Sequence, residues 1–272
     1  RGGAIMSEYE WTNPTSAFTV MASSWMWGLV QSTDTIINNL FQFIAHMCPE
    51  ATYGYAPMSC PGLPNKSYDR LSDTDFRKKV VLGPEARYDD LQGLSSLSEE
   101  EFAEWGFTPY TCFKFRPGNG ENTDYMVANA ISLPLMRIEE MYFIEIEAQL
   151  NIAGLGKAQE LLNEFMQNYR YDGYDCTLKT MTYEAFIKEL MLQRRIEFWG
   201  EGILFFDYKR LNQGITRGYT GTNIPAVATF NTPDRSPQWN VPITRSEYQS
   251  NKGIRHPEDN NPDPTEKLIL WK

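Results

Sequence analysis

Histidine is scarce in this sequence, with two among 272 residues, and the scarcity limits the chemistry that the chain can carry out. A histidine-based catalytic triad or a two-histidine metal site would have to draw on His46 and His256 alone. The four cysteines show no Cys-x-x-Cys spacing, which argues against a zinc site. We therefore predict no metal site and no cofactor.

The cysteines, Cys48, Cys60, Cys112 and Cys176, have two interpretations. Cys48 and Cys60 bracket a loop rich in proline, glycine and tyrosine, and an oxidising compartment would allow a disulfide between them. The alternative, which we favour, is four separate buried thiols.

Positive charge is also in deficit, since 25 Lys and Arg face 35 Asp and Glu and the net charge is −10. An acidic chain without a basic run does not suit nucleic acid or an anionic membrane surface as a partner.

Long apolar runs are missing as well. No stretch has the roughly 18 uninterrupted apolar residues of a membrane helix. Residues 16–47 come closest, but polar side chains and Asp34 interrupt them. The sequence begins with neither Met nor a basic-apolar-small signal segment, so we expect it to be part of a longer protein.

Apolar and aromatic side chains, in contrast, are plentiful. Hydrophobic residues make up 42 % of the chain and aromatic residues 14 %, which is typical of a globular protein with a large core. We divide the chain into a loop-rich, ligand-facing part at residues 1–130, a helical hairpin core at 131–211, and a C-terminal segment at 212–272 that wraps over the helices. The predicted fold class is mainly α, with short strands in the loop-rich region.

Within the loop-rich part, proline and glycine interrupt residues 48–125 about every ten positions. Residues 4–11 predict a short strand that ends at a turn. Ser98, followed by acidic residues, predicts the N-cap of a short helix. An ordered loop region of this length is usually functional.

Helical patterns dominate residues 133–211. One helix is predicted from Pro134 to a stop at Gly154, and a second at 157–170 folds back on it as an antiparallel hairpin. Thr182 is the predicted N-cap of a third helix. The spacing of small residues in the hairpin is typical of tetratricopeptide repeats, where paired helices approach closely.

The third helix carries charged residues in a strongly apolar context. Isolated buried charges are costly, so these side chains should persist only as hydrogen-bonded pairs. On a helix Arg194, Glu197 and Glu201 lie at i, i+3 and i+7 and share one face. Arg137 and Glu140 are expected to pair in the same way on the neighbouring helix. We therefore predict a structural Arg–Glu lattice that fixes the register of these helices.

Two glycines follow the charged face. Gly200 and Gly202 are predicted to end the helix and to let Phe205, Phe206 and Asp207 turn into the core. Asp207 is accordingly expected to join the structural lattice.

Six segments, in their order along the chain, resemble the SusD/RagB family of outer-membrane nutrient-binding lipoproteins. The first, "AIMSEYEW" (4–11), is similar to a strand midway along such proteins. "DTDFR" (73–77) is similar to its Asp-Pro-Arg, and "LMRIEEMYFIEIEA" (135–148) to its Arg-Leu-x-Glu-x-Tyr helix. "ELLNEF" (160–165) resembles the helix that follows, and "QRRIEFWGEGILFFDYKR" (193–210) resembles the family's Glu-Arg-Arg helix. "WNVPITRSEYQSN" (239–251) is similar to its closing Pro-Ile-x-x-x-Glu segment. The matched positions are Asp75, Arg77, Arg137, Glu140, Tyr142, Glu147, Ala148, Leu162, Asn163, Arg194, Arg195, Glu197, Glu201, Gly202, Phe206, Asp207, Arg210, Pro242, Ile243, Glu247 and Asn251.

The resemblance implies a SusD-like fold with tetratricopeptide-like helical hairpins, of which this chain would be the C-terminal half. The N-terminal half would hold the signal peptide, the lipidated cysteine and most of the tetratricopeptide-like helices. The whole protein would be lipid-anchored in the outer membrane at the cell surface. It would bind an oligosaccharide or a peptide and deliver it to a SusC-like TonB-dependent transporter.

Three positions depart from the family's pattern. Gln193 stands where Glu is usual, Leu204 where Arg is usual, and Met166 where Arg is usual. These departures weaken particular salt bridges and leave the overall resemblance intact.

Exposed aromatic rings are the candidate ligand contacts, since the apolar faces of sugar rings stack on Trp and Tyr. Tyr53 and Tyr55, separated by Gly54 and flanked by Pro49 and Pro57, form the principal candidate. In an extended loop their rings would point the same way, and the glycine would let the backbone approach other structure. Packing in the core is the alternative for each ring. The other candidates are Trp25, Trp27 and Trp105.

Three functions compete at this point. The chain could belong to a glycan- or peptide-binding protein, to a polysaccharide hydrolase, or to a helical scaffold without a small ligand. A hydrolase needs a close carboxylate pair in a cleft, and 35 acidic residues make a chance pair easy to find. We favour the binding protein and predict no catalytic residue.

The "DNNPD" segment at 259–263 could offer oxygen ligands to calcium, although a solvated tail is the interpretation we favour.

Overall fold

The computed structural model of the chain describes residues 4–34, 42–235, 239–240, 242–255 and 269–270. The chain forms two compact units, Arg1–Glu201 and Gly202–Lys272, which we call unit 1 and unit 2. The divisions that we drew at residues 130 and 211, and the wrapping of the last segment over the helices, stay predictions.

Helices make up most of the regular structure, as the sequence predicts. The α-helices are α1 (Glu8–Thr12), α2 (Phe43–Met47), α3 (Ala56–Ser59), α4 (Asn65–Tyr68), α5 (Glu99–Trp105), α6 (Tyr125–Ala128), α7 (Ile138–Ile152), α8 (Leu155–Tyr169), α9 (Tyr183–Glu197), α10 (Leu204–Arg210) and α11 (Arg245–Ser250). Short 3-10 helices span Phe76–Val80, Tyr88–Leu91, Gly118–Gly120 and Ala226–Ala228. The strands are β1 (Trp25–Leu29), β2 (Leu133–Arg137), β3 (Phe230–Asn231) and β4 (Ile269–Leu270).

The predicted helical hairpin is present as α7 and α8. The turn between them needs Gly154, whose φ of +89° is unfavourable for residues with a side chain. The rings of Phe143 and Phe165 meet across the hairpin with centroids 5.1 Å apart. Helix α9 packs against both helices, and the Thr182 hydroxyl accepts a hydrogen bond from the amide of Ala185 at its start. The predicted N-cap at Thr182 is confirmed.

The predicted start of the first long helix at Pro134 is wrong. Residues Leu133–Arg137 form β2, which pairs antiparallel with β1, so that Trp25 lies opposite Arg137 and Leu29 opposite Leu133. A two-stranded sheet has only edge strands, and a proline is tolerated there because it need not donate to a ladder. The helix begins at Ile138, after the chain leaves the sheet.

The strand predicted at residues 4–11 is also wrong. Glu8–Thr12 is a helical turn, and Ser7 is its N-cap. The Ser7 hydroxyl accepts from the amide of Glu10, while the Glu10 carboxylate accepts from the amide of Ser7. This reciprocal capping box fixes a helix start where aromatic residues alone suggested a strand.

The loop-rich part of unit 1 is built on two clusters of buried apolar side chains. The larger cluster includes Trp11, Phe18 and Phe115, and the smaller one is formed by buried side chains from Leu82 to Phe113. The helix predicted at Ser98 is confirmed as α5, since the Ser98 hydroxyl accepts from the amide three residues later. Short helices and turns that share these cores therefore give the irregular region a fixed shape.

All four cysteines are free thiols, and three of them are buried, whereas Cys60 is half-buried. Burial raises the pKa of the Cys112 thiol to about 11, which keeps it protonated and unreactive near neutral pH. The structure therefore favours separate thiols over a Cys48–Cys60 disulfide.

Unit 2 begins at Gly202 and contains α10. We predicted that Phe205 and Phe206 turn into the core. For these two rings the prediction is wrong, because they are 44 % and 66 % exposed. Their rings lie edge to face at 5.6 Å, and the Trp239 ring lies 6.1 Å from Phe205. The possible calcium-binding segment at 259–263 lies outside the described residues, as does His256.

Candidate functional site

Buried charges form a connected set in unit 1, which we call the buried network. Every member side chain is at most 5 % exposed. Its charges balance, with four cations and four carboxylates. The cations are Arg77, Lys114, Arg137 and Arg170, and the carboxylates are Asp75, Glu139, Glu197 and Glu201.

Glu197, the last residue of α9, is the centre of the buried network. Its two carboxylate oxygens accept from Arg170, with Oε1–Nη2 at 2.7 Å and Oε2–Nε at 2.8 Å. Arg77 Nη1 donates to Oε2 at 3.1 Å, and Arg137 Nη1 donates to Oε1 at 3.3 Å. Burial alone would raise the pKa of Glu197, but the three guanidinium groups hold it well below its usual range. The carboxylate therefore stays ionised although it is completely buried.

Glu201 is the second centre. Arg137 holds it with a bidentate pair, Nε–Oε2 and Nη2–Oε1, each at 2.9 Å. Lys114 donates to the same carboxylate and to the carbonyl oxygens of Glu197 and Trp199. Burial lowers the pKa of Lys114, and the ion pair with Glu201 opposes that effect. The lysine thus ties the end of α9 to the turn that follows it.

The network differs from the predicted lattice in its pairings. Glu197 contacts Arg77, Arg137 and Arg170, whereas Arg194 Nη2 lies 3.9 Å from Glu140 Oε1. The expected pairing of Arg194 with Glu197 is therefore wrong.

One further pairing and the position of Glu201 differ as well. Arg137 pairs with Glu139 at 3.0 Å, where we expected Glu140. Glu201 is not on the helix, because α9 ends at Glu197 and Gly200, with a φ of +76°, turns the chain. Asp207, in unit 2, accepts from Arg210 at 2.8 Å.

Five network members escaped the sequence-based prediction of the lattice: Asp75, Arg77, Lys114, Glu139 and Arg170. Asp75 and Arg77 were matched only through the family motif, and Arg77 Nη2 donates to Asp75 Oδ2 at 2.7 Å. Arg170 follows directly after α8, where the chain has no feature that distinguishes it from a solvent-exposed arginine. Its role depends on contacts with residues that are remote in sequence.

Tyr55 is the most favourably placed of the predicted ligand contacts. It is 46 % exposed, and its ring stacks on His46 with centroids 5.6 Å apart and planes 21° from parallel. Its amide donates to the carbonyl oxygen of Ala45 at 2.8 Å. Gly54 is needed for that approach, because a Cβ atom there would lie 2.3 Å from the same carbonyl oxygen. The glycine therefore fixes the Tyr55 ring against α2, as we expected.

The paired arrangement of Tyr53 and Tyr55 is wrong, because the segment is a turn rather than an extended loop. Tyr55 has helical backbone angles, φ −88° and ψ −19°. The Tyr53 ring lies 6.2 Å from Tyr125, and its hydroxyl donates to Asn129 Oδ1 at 3.4 Å. Burial is the main reason why the pKa of Tyr53 is raised well above its usual range. The two rings thus have different environments, one half-buried and one open.

The three predicted tryptophans also separate. Trp27 on β1 is 65 % exposed, opposite Met136 on β2. Trp105 ends α5 and is half-buried, with its ring 5.8 Å from Phe107. Trp25 is 8 % exposed and belongs to the larger core, which does not fit a ring that stacks on a ligand.

A metal centre has no candidate in the described ranges, where no group of three or more His, Cys, Asp or Glu side chains could hold an ion. None of the helices in the same ranges combines the length and the hydrophobicity needed to cross a bilayer.

Comparison with known proteins gives one family. A model of the SusD family matches residues 95–262. No significant match was found among curated proteins.

Solved structures share the fold. A SusD-like carbohydrate-binding protein from Bacteroides vulgatus is similar with a TM-score of 0.63 and 21 % sequence identity, over 97 % of this chain and 54 % of that one. A SusD superfamily protein from Bacteroides thetaiotaomicron is similar with a TM-score of 0.61 and 21 % identity, over 96 % of this chain and 53 % of that one. The chain thus spans about half the length of these structures.

Proposed function

Because the chain belongs to the SusD family, we propose that it is part of a cell-surface protein that binds an oligosaccharide and delivers it to a SusC-like TonB-dependent transporter. In this proposal the whole protein is held at the outer membrane by a lipid anchor that lies outside the sequence. The family match is the observation that carries the proposal. The name of the similar carbohydrate-binding protein from Bacteroides vulgatus supports a sugar over a peptide as the ligand.

Tyr55 and Trp27 are the proposed stacking surfaces. Both rings are substantially exposed, and each is attached to an ordered element, α3 in one case and β1 in the other. Stacking on a sugar needs such a ring, because a mobile side chain would lose entropy on binding. Tyr53 has a supporting role in this proposal, since it anchors the turn through Asn129. Trp105 is a secondary candidate because less of its ring is open.

We propose that the protein is not an enzyme. The carboxylates that first attract attention, those of Glu197 and Glu201, are buried against guanidinium and ammonium groups. Their pKa values are lowered below the usual range, so neither could donate a proton as a general acid near neutral pH. Their positions support a structural role.

The proposal is tested with Tyr55→Ala. A glycan array with the purified chain first identifies the oligosaccharide that binds, and titration calorimetry then gives its affinity for each variant. We expect Tyr55→Ala to keep its melting temperature and to lose ten-fold or more in affinity, about 1.4 kcal/mol or more. The loss of one stacking surface from a partly open site explains a change of this size.

Tyr9→Ala is the matched control, because Tyr9 is 72 % exposed and lies on α1, away from the candidate turn in the sequence. It should bind as well as the unmodified chain. Unchanged affinity in Tyr55→Ala would reject Tyr55 as a contact. Failure of every oligosaccharide on the array, together with binding of peptides, would reject the choice of ligand.

A further inference from the structure

The segment that ends at the Tyr55 ring folds back on itself, and we call residues 45–55 the tyrosine loop. It is closed by one backbone hydrogen bond, from the Tyr55 amide to the carbonyl oxygen of Ala45 at 2.8 Å. The stacked rings of His46 and Tyr55 lie at the two ends of the loop. One hydrogen bond does not fix a loop of this length, because each residue between its ends has conformational freedom to lose. Other contacts must therefore hold the loop.

Glu50 lies at the midpoint of the tyrosine loop, and its side chain is completely buried. Its Oε1 accepts hydrogen bonds from the Ser95 hydroxyl and the Ser96 amide, both at 2.7 Å. Its Oε2 accepts from Arg116 Nη1 at 2.8 Å. Hydrogen bonds to an ionised group are stronger than those between neutral groups. The carboxylate thus joins the loop to two segments that are remote in the sequence.

Arg116 depends on Glu50 for its countercharge. Its side chain is also completely buried, and among the described residues Glu50 supplies the one carboxylate within ion-pair distance. Nε and Nη2 of the same guanidinium have no hydrogen-bond partner in that part of the chain. A buried charge without a partner is costly, so Arg116 favours the loop conformation that keeps Glu50 beside it.

Arg116 is itself attached to a rigid part of unit 1. Residues 111–116 are all buried. Two positions before Arg116, Lys114 donates to the Glu201 carboxylate and to the carbonyl oxygen of Glu197 in the buried network. The segment cannot shift without breaking these contacts. Arg116 therefore gives the tyrosine loop a fixed point of attachment in the core.

The remaining attachments of the tyrosine loop are hydrogen bonds between neutral groups. The amide and the hydroxyl of Thr52, which is exposed, donate to the carbonyl oxygen of Asn122 at 2.9 and 2.8 Å. The Tyr53 hydroxyl donates to Asn129 Oδ1 at 3.4 Å. Exposed neutral hydrogen bonds exchange readily with bonds to water and contribute little net stability. The buried contacts of Glu50 are therefore the main restraint on the loop.

From these contacts we infer that the Glu50–Arg116 ion pair positions the Tyr55 ring for its ligand. Because Glu50 is completely buried, it acts as a positioning residue and does not contact the ligand. A loop that is already held in place loses less conformational entropy when a ligand stacks on its ring. The inference rests on the proposed function, in which Tyr55 is a sugar contact.

Hydrogen exchange of the Tyr55 amide tests the positioning without a ligand. Glu50→Gln keeps the length of the side chain and removes its charge, so the loop should open more often. We use the Arg170 amide as the reference, since it donates to the carbonyl oxygen of Met166 at 2.8 Å, at the end of α8. In exchange measured by NMR on the purified chain, the rate at Tyr55 should rise about ten-fold relative to that reference.

Affinity then connects the loop to binding. With the oligosaccharide found on the glycan array, titration calorimetry should show that Glu50→Gln binds about ten-fold more weakly than the unmodified chain. In a chain that already carries Tyr55→Ala, the same substitution should change the affinity by less than about two-fold, because the ring that Glu50 positions is absent. A general loss of structure would weaken binding in both backgrounds alike.

Glu189→Gln is the matched control. Glu189 is 7 % exposed, lies on α9 and pairs with Arg70 at 2.7 Å, so its substitution also breaks an ion pair of a buried carboxylate. It should lower the melting temperature and leave both the relative exchange rate of Tyr55 and the affinity unchanged.

Ser95→Ala decides the question if Glu50→Gln does not fold. This variant removes one hydrogen bond to the Glu50 carboxylate and keeps the ion pair with Arg116. The relative exchange rate of the Tyr55 amide should then rise by about three-fold, as the loss of one hydrogen bond predicts.

Three results would overturn the inference. The first is an unchanged relative exchange rate of Tyr55 in Glu50→Gln, or in Ser95→Ala where that variant is used. The second is an equal loss of affinity from Glu50→Gln with and without the Tyr55 ring, because Glu50 would then act elsewhere. The third is a loss of affinity in Tyr55→Ala with none in Glu50→Gln, which would leave the proposed function standing. Unchanged affinity in Tyr55→Ala would instead reject Tyr55 as a sugar contact, and the positioning role with it.

Discussion

Replacing Glu197 by glutamine removes the one carboxylate that three buried arginines share and leaves the side-chain volume nearly unchanged. Arg77, Arg137 and Arg170 all donate to it, and the carboxylate is fully buried. The glutamine amide can accept through its oxygen alone, and its NH₂ group would face guanidinium donors. The network would then hold four cations against three carboxylates, with the unbalanced charge shielded from water.

The magnitude follows from the burial of the group. Removing one partner of a buried ion pair costs about 3–5 kcal/mol, because the remaining charge has lost its water without compensation. We expect a loss of about 4 kcal/mol in the free energy of unfolding, a large share of the about 5–15 kcal/mol that holds a typical protein folded. At about 2–4 °C per kcal/mol for large domains, the melting temperature should fall by about 8–16 °C.

Urea unfolding followed by circular dichroism measures the loss, and two further variants interpret it. Glu160→Gln removes an exposed ion pair with Lys157 and should cost less than about 0.5 kcal/mol. Arg170→Met combined with Glu197→Gln removes one charge of each sign. The double variant should lose less stability than the sum of the single variants, since the two groups act on each other directly.

A loss below about 1 kcal/mol for Glu197→Gln, close to that of the exposed control, would refute the reasoning. So would strict additivity in the double variant, because it would mean that Arg170 and Glu197 do not stabilise each other.

Two other perturbations test the same unit. The arginines hold the pKa of Glu197 below its ordinary 4.5. As the pH falls, the unfolded chain therefore takes up a proton at this carboxylate before the folded chain does. The stability that the carboxylate confers should be complete above about pH 4.5 and should fall as the pH drops. Urea midpoints at about pH 6 and about pH 3.5 should therefore differ more for the unmodified chain than for Glu197→Gln, and equal differences would contradict the assignment. Gly54→Ala should cost about 1–3 kcal/mol, because its Cβ would collide with the carbonyl oxygen of Ala45, whereas Gly156→Ala on α8 meets nothing within 4 Å and should be neutral or stabilising. Similar melting temperatures for the two glycine variants would show that the turn at Gly54 adapts.

Local signals explain which elements the sequence predicts well. Thr182 and Ser98 cap helices with their own side chains, and Gly154 turns the hairpin, so each boundary depends on neighbouring residues. The Ser7 and Glu10 box was equally local and could have been found, because Ser-x-x-Glu is a known helix start. The strand at Leu133–Arg137 differs, since it exists only because residues 25–29 pair with it.

The candidate sites show the same division between local and remote causes. Trp25 and Trp27 would share one face of a regular strand, but the register of the β1–β2 pair shifts between them, and one ring is buried while the other is exposed. The sequence of β1 alone does not specify this irregularity. The partners of Glu197 are 27, 60 and 120 positions away along the chain. A helix-face argument could identify Glu197 as buried and paired, but it could not select Arg170 over Arg194.

Two of the departures from the family's pattern meet at one arginine. Met166 and Gln193 stand where the resemblance leads one to expect Arg and Glu, and both contact Arg77 in the structure. Its Nη2 lies 3.9 Å from the Met166 sulfur and 2.9 Å from Gln193 Oε1. A cation at 166 alone or a carboxylate at 193 alone would leave the buried network with a net charge, which is costly away from water. Because the chain lacks both, four cations still face four carboxylates. Met166 and Gln193 thus place a thioether and an amide against Arg77 and leave the charge balance of the buried network unchanged.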